Sequence, residues 1–154
     1  GLPVAEHRPV LEIRPATPDD IPAMHTVRVA VRENRLNDPA RIQPADYAAL
    51  LNGSGRGWVA LVDGRLVGFG IADAANRNLW ALFVDPDFEG RGIGRRLHDE
   101  LLDWLFSLGD SPAWLTTEPG SRAERFYRVA GWQDAGRDPG GDLRLEFFPF
   151  EDEA

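Results

Sequence analysis

The sequence predicts a single domain of the α+β class. Three observations support this class: the candidate elements follow the order β-α-α-β-β-β-α-β-α-β-β, a clear hairpin turn joins two apolar runs, and no repeat, linker or low-complexity tract interrupts the chain. The 154 residues fit one compact domain, and a chain with 43% hydrophobic and 27% charged residues carries enough apolar side chains to form a core. We expect the domain to span residues 1–154, with residues 1–9 forming a flexible tail.

The N-terminal half contains a strand, two helices and a hairpin. These elements are expected at residues 10–14, 21–31, 45–51, 58–62 and 66–71. Alternating side chains indicate the first strand, and apolar residues three and four positions apart indicate the first helix. Asp63-Gly64 lies between the last two runs and is a sequence favoured by type I′ turns, so these runs are predicted to pair as a hairpin.

The C-terminal half contains four strands and two helices. They are expected at residues 79–84, 93–108, 113–117, 121–129, 132–135 and 143–148. The run 79–84 is apolar at every position, which is typical of a strand that is buried on both faces at the centre of a sheet. Gly109 and Gly131 are expected to end the two helices.

The composition excludes several kinds of chemistry. The sequence has no cysteine, so it offers no disulfide, no thiolate nucleophile and no cysteine-bound metal. All 17 basic residues are arginine, which removes the lysine that a phosphate-binding P-loop or a Schiff base requires. His7, His25 and His98 lie far apart without ligand spacing, and we therefore expect no metal site.

Charge and hydropathy narrow the choice of partners. The formal net charge of −8 would repel a polyphosphate backbone, so nucleic acid is not expected as a partner. No apolar run approaches the length that spans a bilayer, and no signal peptide is recognised. We expect a cytoplasmic protein that binds neither nucleic acid nor membrane.

The segment 89–94, between the central strand and the next helix, carries the clearest functional signal. Its three alternating glycines allow a ligand to approach the backbone, and the free amides at the start of a helix attract anions. Arg91, Arg95 and Arg96 add positive charge at this point of an acidic chain. The pattern predicts a pyrophosphate site. It is neither a P-loop, which needs lysine, nor a dinucleotide fingerprint, which needs glycine where Arg95 stands.

The segment Glu89-Gly90-Arg91-Gly92-Ile93-Gly94 resembles the pyrophosphate loop of the GNAT superfamily of acyl-CoA-dependent N-acetyltransferases, usually written Gln/Arg-x-x-Gly-x-Gly/Ala. Glu89 stands where Gln or Arg is usual. Residues 123–132 are similar to the family's Ala-x-x-Phe-Tyr-x-x-x-Gly-Phe/Trp segment, and Gly120 stands where many members have Asn. Two motifs in this order and at this separation make the resemblance specific, and the order of elements agrees with it over residues 10–148.

The resemblance implies a mixed, mostly antiparallel central sheet of six to seven strands, flanked by about four helices and splayed at the cofactor site. It implies acetyl-CoA as the acyl donor, with the pantetheine arm pairing to freed backbone groups of the central strand. The residues that it assigns to cofactor binding are Leu82, Phe83, Val84, Glu89, Gly90, Arg91, Gly92, Ile93, Gly94 and Arg95. The acetyl group is expected to pass directly to a primary amine of a small-molecule or peptide acceptor in a ternary complex, on a monomer or homodimer.

The same resemblance assigns Tyr127 as the general acid that protonates the departing CoA thiolate, for which a phenol with a pKa of about 10 is a suitable donor. A base is also needed, because an amine acceptor is protonated at neutral pH. Glu118 and Asp73 are the acids expected nearest to the gap in the sheet, and Glu33 and His25 are further candidates.

His25, Arg28, Arg32 and Arg35 share one side of the first predicted helix. This stripe is either a solvated, partly self-paired face or a cationic patch that holds an acidic group of the acceptor. The net acidity of the chain instead favours a cationic amine. We expect a small amine that bears an acidic group. The residues assigned to its binding are Arg28, Arg32, Glu33 and Trp80.

A hypothesis of another class stays open at this point: a non-catalytic acyl-CoA-binding regulatory or interaction domain. Tyr127 favours the enzyme, whereas the lack of an obvious base is compatible with a protein that only binds the cofactor. An acetyl-CoA-dependent N-acetyltransferase is the first hypothesis and the binding domain is the alternative. Transfer of a longer acyl group is a third hypothesis, which would require a wider pocket around Phe83 and Phe126.

Overall fold

The computed structural model describes residues 8–32 and 42–150, and in these ranges seven strands and four α-helices follow the predicted order. The strands are β1 (Leu11–Pro15), β2 (Gly55–Val62), β3 (Arg65–Asp73), β4 (Asn78–Val84), β5 (Ala113–Thr117), β6 (Gln133–Arg137) and β7 (Leu143–Phe147). The helices are α1 (Ile21–Arg32), α2 (Pro44–Leu51), α3 (Ile93–Ser107) and α4 (Arg122–Val129). The tail expected at residues 1–9 falls mainly on residues 1–7, which lie outside the described ranges.

The strands form one sheet in the order β1-β2-β3-β4-β5-β7-β6. Every neighbouring pair is antiparallel except β4 and β5, which are parallel, so the predicted mostly antiparallel sheet is confirmed. β4 occupies the centre, as predicted. Asp63 and Gly64 have φ of 49° and 80°, and these left-handed conformations are those that a type I′ turn between β2 and β3 requires.

The parallel strands β4 and β5 meet near their starts and then part. Among the described residues, their only paired position is Asn78 with Trp114. The Trp114 amide donates to the Arg77 carbonyl at 3.0 Å, and the Asn78 side chain donates to the Trp114 carbonyl at 3.1 Å. The Trp114 indole also donates to the Asn76 carbonyl at 2.7 Å. Beyond this fixed end the strands diverge, which confirms the expected splay of the sheet.

The expectation that β4 is buried on both faces is wrong for most of the strand. Leu79 and Ala81 are buried, whereas the other residues of β4 are half-buried. The cause is the separation from β5, which leaves one edge of the second half of β4 facing a gap. A bulge at Trp80, where Leu79 and Ala81 pair with adjacent residues of β3, also turns Trp80 and Ala81 to the same face.

Helices cover both faces of the sheet and enclose two apolar clusters. α3 and α4 pack on one face, where Leu101 is fully buried, and α1 and α2 cover the other face with Met24 and Tyr47. Gly70 of β3 permits the contact with α3, because a Cβ at this position would lie 2.5 Å from Leu101 Cδ1. Within the described ranges, no helix combines the length and the hydropathy that spanning a bilayer requires.

His98 of α3 is buried in the cluster between α3, α4 and the sheet. Its Nε2 accepts a hydrogen bond from the Trp132 indole at 2.9 Å, so the ring proton lies on Nδ1, which donates to the Asp99 carboxylate at 2.9 Å. Burial lowers the pKa of His98, and the neighbouring Asp99 offsets only part of this effect. The ring is therefore neutral in the folded protein and bridges α3 to the segment after α4.

We expect the free energy of unfolding to fall as the pH is lowered from about 7.5 to about 5.5. The unfolded chain takes up a proton at His98 near pH 6.5, whereas the folded chain resists protonation, so acid favours unfolding by at most about 1.4 kcal/mol per pH unit. The pKa values of Asp20, Asp73 and Asp99 are lowered, so these carboxyls titrate below this window. Urea unfolding of the protein and of His98→Gln across the window measures the effect, and equal pH slopes would contradict the role of His98.

Candidate active site

The gap between β4 and β5 opens into a cleft of about 640 Å³, which is lined from both faces of the sheet. Val31 and Phe83 contribute from the side of α1, and Ile93 and Tyr127 contribute from the side of α3 and α4. The remaining lining residues are Leu82, Val84, Phe88, Glu89, Gly90, Gly92, Gly94, Arg95, Thr117, Glu118, Ser121, Arg122, Ala123 and Phe126. Both motifs recognised in the sequence therefore meet at one cleft.

The glycine loop, residues 89–94, forms part of the cleft wall. Gly90 and Gly92 have left-handed φ of 75° and 79°, which residues with side chains rarely adopt. The helix α3 begins directly after Gly92, and its first hydrogen bond runs from the Arg96 amide to the Gly92 carbonyl at 3.1 Å. The preceding amides, at residues 93–95, have no acceptor inside the helix and belong to residues that line the cleft. This arrangement suits an anion.

Nine of the ten residues predicted to bind the cofactor line the cleft. The exception is Arg91, whose guanidinium lies over the Phe88 ring at 4.9 Å from its centre. Arg91 therefore packs against Phe88, in the turn that precedes the glycine loop. The fold brings the rest of the predicted set together.

Only alternate residues of β4 offer their backbone to the gap. The Asp85 amide donates to the Val67 carbonyl of β3 at 2.7 Å, which fixes the direction of the backbone groups upstream of it. Because successive groups point to opposite edges of a strand, those of Leu82 and Val84 point to the gap and those of Phe83 point to β3. The expectation that all three residues offer freed backbone groups therefore does not hold for Phe83, which contributes its ring to the cleft instead.

Glu89, the residue that departs from the family pattern, is paired with Arg122 of α4. Its Oε2 lies 2.9 Å from Arg122 Nη1, and both residues line the cleft. A carboxylate beside the free amides of the glycine loop would repel a pyrophosphate, but the guanidinium offsets that charge. The side chains are 33% and 65% exposed, so the pair is weak and opens at little cost.

Tyr127 of α4 reaches the cleft from inside the apolar cluster. Its ring packs against Phe126, with centroids 5.3 Å apart, and against Trp132 at 5.6 Å. Burial raises the pKa of Tyr127 well above its ordinary value. The hydroxyl therefore keeps its proton at neutral and moderately alkaline pH, and Tyr127 lines the cleft in its protonated form.

Asp73 lies away from the cleft, at the closed end of β4. It accepts hydrogen bonds from the Ser54 hydroxyl at 2.6 Å, the Ala75 amide at 3.1 Å and the Asn76 side chain at 2.8 Å. Burial would raise the pKa of Asp73, but these hydrogen bonds outweigh burial and lower it. Asp73 holds the turn before β4, and the structure does not support it as a base.

Among the candidate bases that the structure describes, Glu118 alone lines the cleft, directly after β5. His25 Nδ1 lies 3.2 Å from the Tyr47 hydroxyl, on the α1 side of the sheet. Glu33 lies outside the described residues. Among residues 8–32 and 42–150, no group of His, Asp and Glu side chains is arranged to hold a metal ion.

Arg28 and Trp80 lie together on the α1 side of the gap. The Arg28 guanidinium carbon is 5.7 Å from the centre of the Trp80 ring and 4.8 Å from that of Phe83. Arg28 is half-buried, so the predicted stripe is not a solvated face at this position. Of this stripe, the Arg32 side chain and Arg35 lie outside the described structure, as does the neighbouring Glu33.

Nothing in the sequence marked Tyr47 as part of this region. It is fully buried, and its ring lies edge-on to Trp80 at 5.4 Å and to Phe69 at 5.8 Å. Tyr47 thereby supports Trp80 from behind. Sequence alone does not distinguish a residue that supports the site from an ordinary core residue, because both are aromatic residues at an apolar position of a helix.

The sequence profile of the acetyltransferase (GNAT) family matches residues 22–132, a range that includes the glycine loop and Tyr127. The chain belongs to the GNAT family. This GNAT chain is 33% identical over 90 residues to the ribosomal protein bS18-alanine N-acetyltransferase of Salmonella typhimurium, covering 56% of this chain and 57% of the relative. It is 33% identical over 87 residues to a peptidyl-lysine N-acetyltransferase of the same organism, covering 56% of each. The chain thus spans about half the length of the curated relatives that it matches.

Solved GNAT structures share the fold. The PaiA N-acetyltransferase of Thermoplasma acidophilum, crystallised in complex with coenzyme A, matches with a TM-score of 0.75 at 18% identity. The match covers 90% of this chain and 99% of that chain. The splayed sheet of this GNAT chain is therefore a shared architecture.

We expect Glu89→Gln to bind coenzyme A about two- to fivefold more tightly than the unchanged protein, because it removes a negative charge beside the loop amides. Arg122→Gln should bind it more weakly, since the Glu89 charge then lacks its guanidinium. Both differences should shrink at high salt, which screens exposed charges. Calorimetric titration with coenzyme A at low and high salt measures them. Weaker binding by Glu89→Gln would show that the carboxylate itself holds the ligand.

Proposed function

We propose that this GNAT chain transfers the acetyl group of acetyl-CoA to a primary amine within a ternary complex. The observation that carries the proposal is the cleft through the sheet, because its walls come from both faces: a donor that enters from the side of α3 and α4 would meet an acceptor that enters from the side of α1. The relatives named above are N-acetyltransferases, and the structural neighbour was crystallised with coenzyme A. These relatives support the same chemistry for this chain.

The residues of the cleft fit an acyl-CoA donor. The amides at residues 93–95 would bind the pyrophosphate, and Arg122 would compensate the charge of Glu89 beside it. Leu82 and Val84 offer the backbone groups of a strand edge, with which the amides of a pantetheine arm would pair as a neighbouring strand does. The bound donor supplies an activated acetyl thioester, whose carbonyl carbon the amine attacks.

Three groups of the chain would then serve the transfer. An amide of Leu82 or Val84 donates to the acetyl oxygen, where negative charge develops. The Tyr127 hydroxyl gives its proton to the sulfur as the carbon–sulfur bond breaks. Glu118 takes the proton that the amine nitrogen loses, directly or through a water molecule. Glu118 then releases its proton to solvent and Tyr127 takes one up from solvent, so both side chains return to their starting states and charge and protons balance over one turnover.

The acceptor is a primary amine of a peptide or of a small molecule. The names of the two relatives describe enzymes that act on an alanine of a ribosomal protein and on peptidyl lysine. These names support testing peptide amines in addition to the small amine that the sequence predicts. Both kinds of amine therefore belong in the test.

Incubation with acetyl-CoA and a set of amines tests the proposal. The set contains a peptide with a free N-terminal alanine, an N-blocked lysine peptide, amino acids and a polyamine. We expect thiol release that requires one of these amines, and mass spectrometry should find one acetyl group added to it. Binding of acetyl-CoA without turnover of any amine would instead favour a non-catalytic acyl-CoA-binding domain.

Tyr127→Phe is the matched variant for this experiment. Removal of the proton donor should lower kcat roughly 10²- to 10⁴-fold. The Kd for acetyl-CoA and the melting temperature should stay the same, because the phenyl ring keeps its contacts with Phe126 and Trp132. A kcat close to that of the unchanged protein would exclude Tyr127 as the donor.

A further inference from the structure

Arg28 holds a positive charge on the α1 side of the cleft. Its guanidinium stacks over Phe83 and Trp80, and Phe83 itself lines the cleft. Val31, one helical turn after Arg28, lines the cleft as well. The charge therefore lies beside the part of the cleft that an acceptor would reach from the α1 face.

One donor of this guanidinium has no acceptor within the described chain. Arg28 Nη1 is buried, and no described residue accepts a hydrogen bond from it. A buried N–H group without an acceptor is costly, and more so on a charged group. The faces of the two aromatic rings attract the charge but provide no acceptor in the plane of the guanidinium.

Arg77 shows how the same fold treats an arginine with a structural role. Its guanidinium also lies over a ring, that of Phe106, at 5.4 Å from the centre. In addition it donates to the carbonyls of Leu105, Gly109 and Ser111 at distances from 2.6 to 3.2 Å. Arg28 has the aromatic contact, but its Nη1 lacks an acceptor among the described residues, which is the arrangement expected of a residue that receives a ligand.

We propose that Arg28 binds a carboxylate of the acceptor, so that the substrate class is a primary amine that also carries a carboxylate. This inference rests on the proposed acetyl transfer. A carboxylate is planar and accepts two parallel hydrogen bonds from a guanidinium. It also neutralises the positive charge of Arg28, which the Trp80 and Phe83 rings do not. The carboxylate belongs either to a free amino acid or to an acidic side chain next to the amine of a peptide.

The competing explanation is that Arg28 forms an ion pair with a carboxylate of the same chain. Glu33 and Asp38 carry carboxylates soon after Arg28 in the sequence, and both lie outside the described residues. An internal ion pair would make Arg28 a stabilising residue for every substrate. A ligand site would make it selective for some substrates, so selectivity and stability together separate the two explanations.

Matched acceptors test the substrate class. One arm compares amino carboxylic acids of increasing chain length with the corresponding amides, and the other compares peptides with Glu or Gln beside the N-terminal residue. We expect the unchanged protein to prefer the carboxylate roughly 10- to 100-fold in kcat/KM in one arm, which identifies the source as small molecule or peptide. Equal kcat/KM for acid and amide in every pair would overturn the proposal.

Arg28→Met is the decisive variant. We expect KM for the carboxylate acceptor to rise roughly 10- to 100-fold, with no change in kcat/KM for the amide or in the Kd for acetyl-CoA. Arg28→Lys keeps the charge without the fork and should recover part of the loss. The control is Arg144→Met, which removes an arginine stacked 4.4 Å over Trp114, a ring that does not line the cleft as Phe83 does, and it should change none of these values. Equal losses with acid and amide acceptors would overturn the proposal.

The melting temperature supplies a readout that does not depend on turnover. Replacing an unsatisfied buried donor by an apolar side chain of similar length should leave the melting temperature unchanged or raise it. A lower melting temperature with losses for all acceptors would show that Arg28 pairs within the chain.

If acetyl-CoA binds but no amine is acetylated, the proposed function fails while the Arg28 site is still tested by binding. The amino carboxylic acids should then raise the melting temperature of the acetyl-CoA complex of the unchanged protein and not that of Arg28→Met. No rise in either protein would overturn the site.

Discussion

The parting of β4 and β5 determines what this protein is able to bind. The two strands are locked together at one end, where Trp114 bonds to the backbone of Arg77 and Asn76 and where the Arg77 side chain ties the same turn to the end of α3. Beyond that fixed end, the edge of β4 presents the backbone groups of Leu82 and Val84 to the cleft. A strand edge with free groups attracts another extended chain. Because helices cover both faces of the sheet here, this edge suits a slender ligand that carries amide groups.

Signals that act over a few residues predicted most of the fold. Asp63-Gly64 determines a hairpin because both positions need a left-handed backbone, and the observed φ values have that sign. No short sequence pattern marks the point at which β4 and β5 diverge. The run 79–84 is apolar throughout, and apolar side chains line a ligand cleft as readily as they fill a core. The sequence of β4 therefore predicted a buried strand where the structure has a half-open one.

For the candidate site too, sequence patterns that are local predicted the residues correctly, whereas contacts between distant parts of the chain were not predicted. The glycine loop and Tyr127 were predicted because their motifs are contiguous in the sequence, and the fold brings both to one cleft. The sequence did not show that Asp73 is occupied by hydrogen bonds, because these depend on the turn formed by Ala75 and Asn76 and on Ser54, which lies 19 residues earlier across the β2–β3 hairpin. Helical spacing predicted that Arg28 lies on a polar face of α1. Spacing gives the position of a residue around its helix, but it does not show that Trp80 and Phe83 of β4 pack against that position.

Hydrogen exchange at single amides is the most direct test of whether a ligand completes the free edge of β4. Without ligand, the amides of Leu82 and Val84 should exchange rapidly, and those of Phe83 and Asp85, which face β3, should exchange slowly. Saturation with coenzyme A should slow exchange at Leu82 and Val84 and leave the other two amides unchanged. Protection of Leu82 and Val84 in the absence of ligand, or no change on saturation, would contradict this mode of binding.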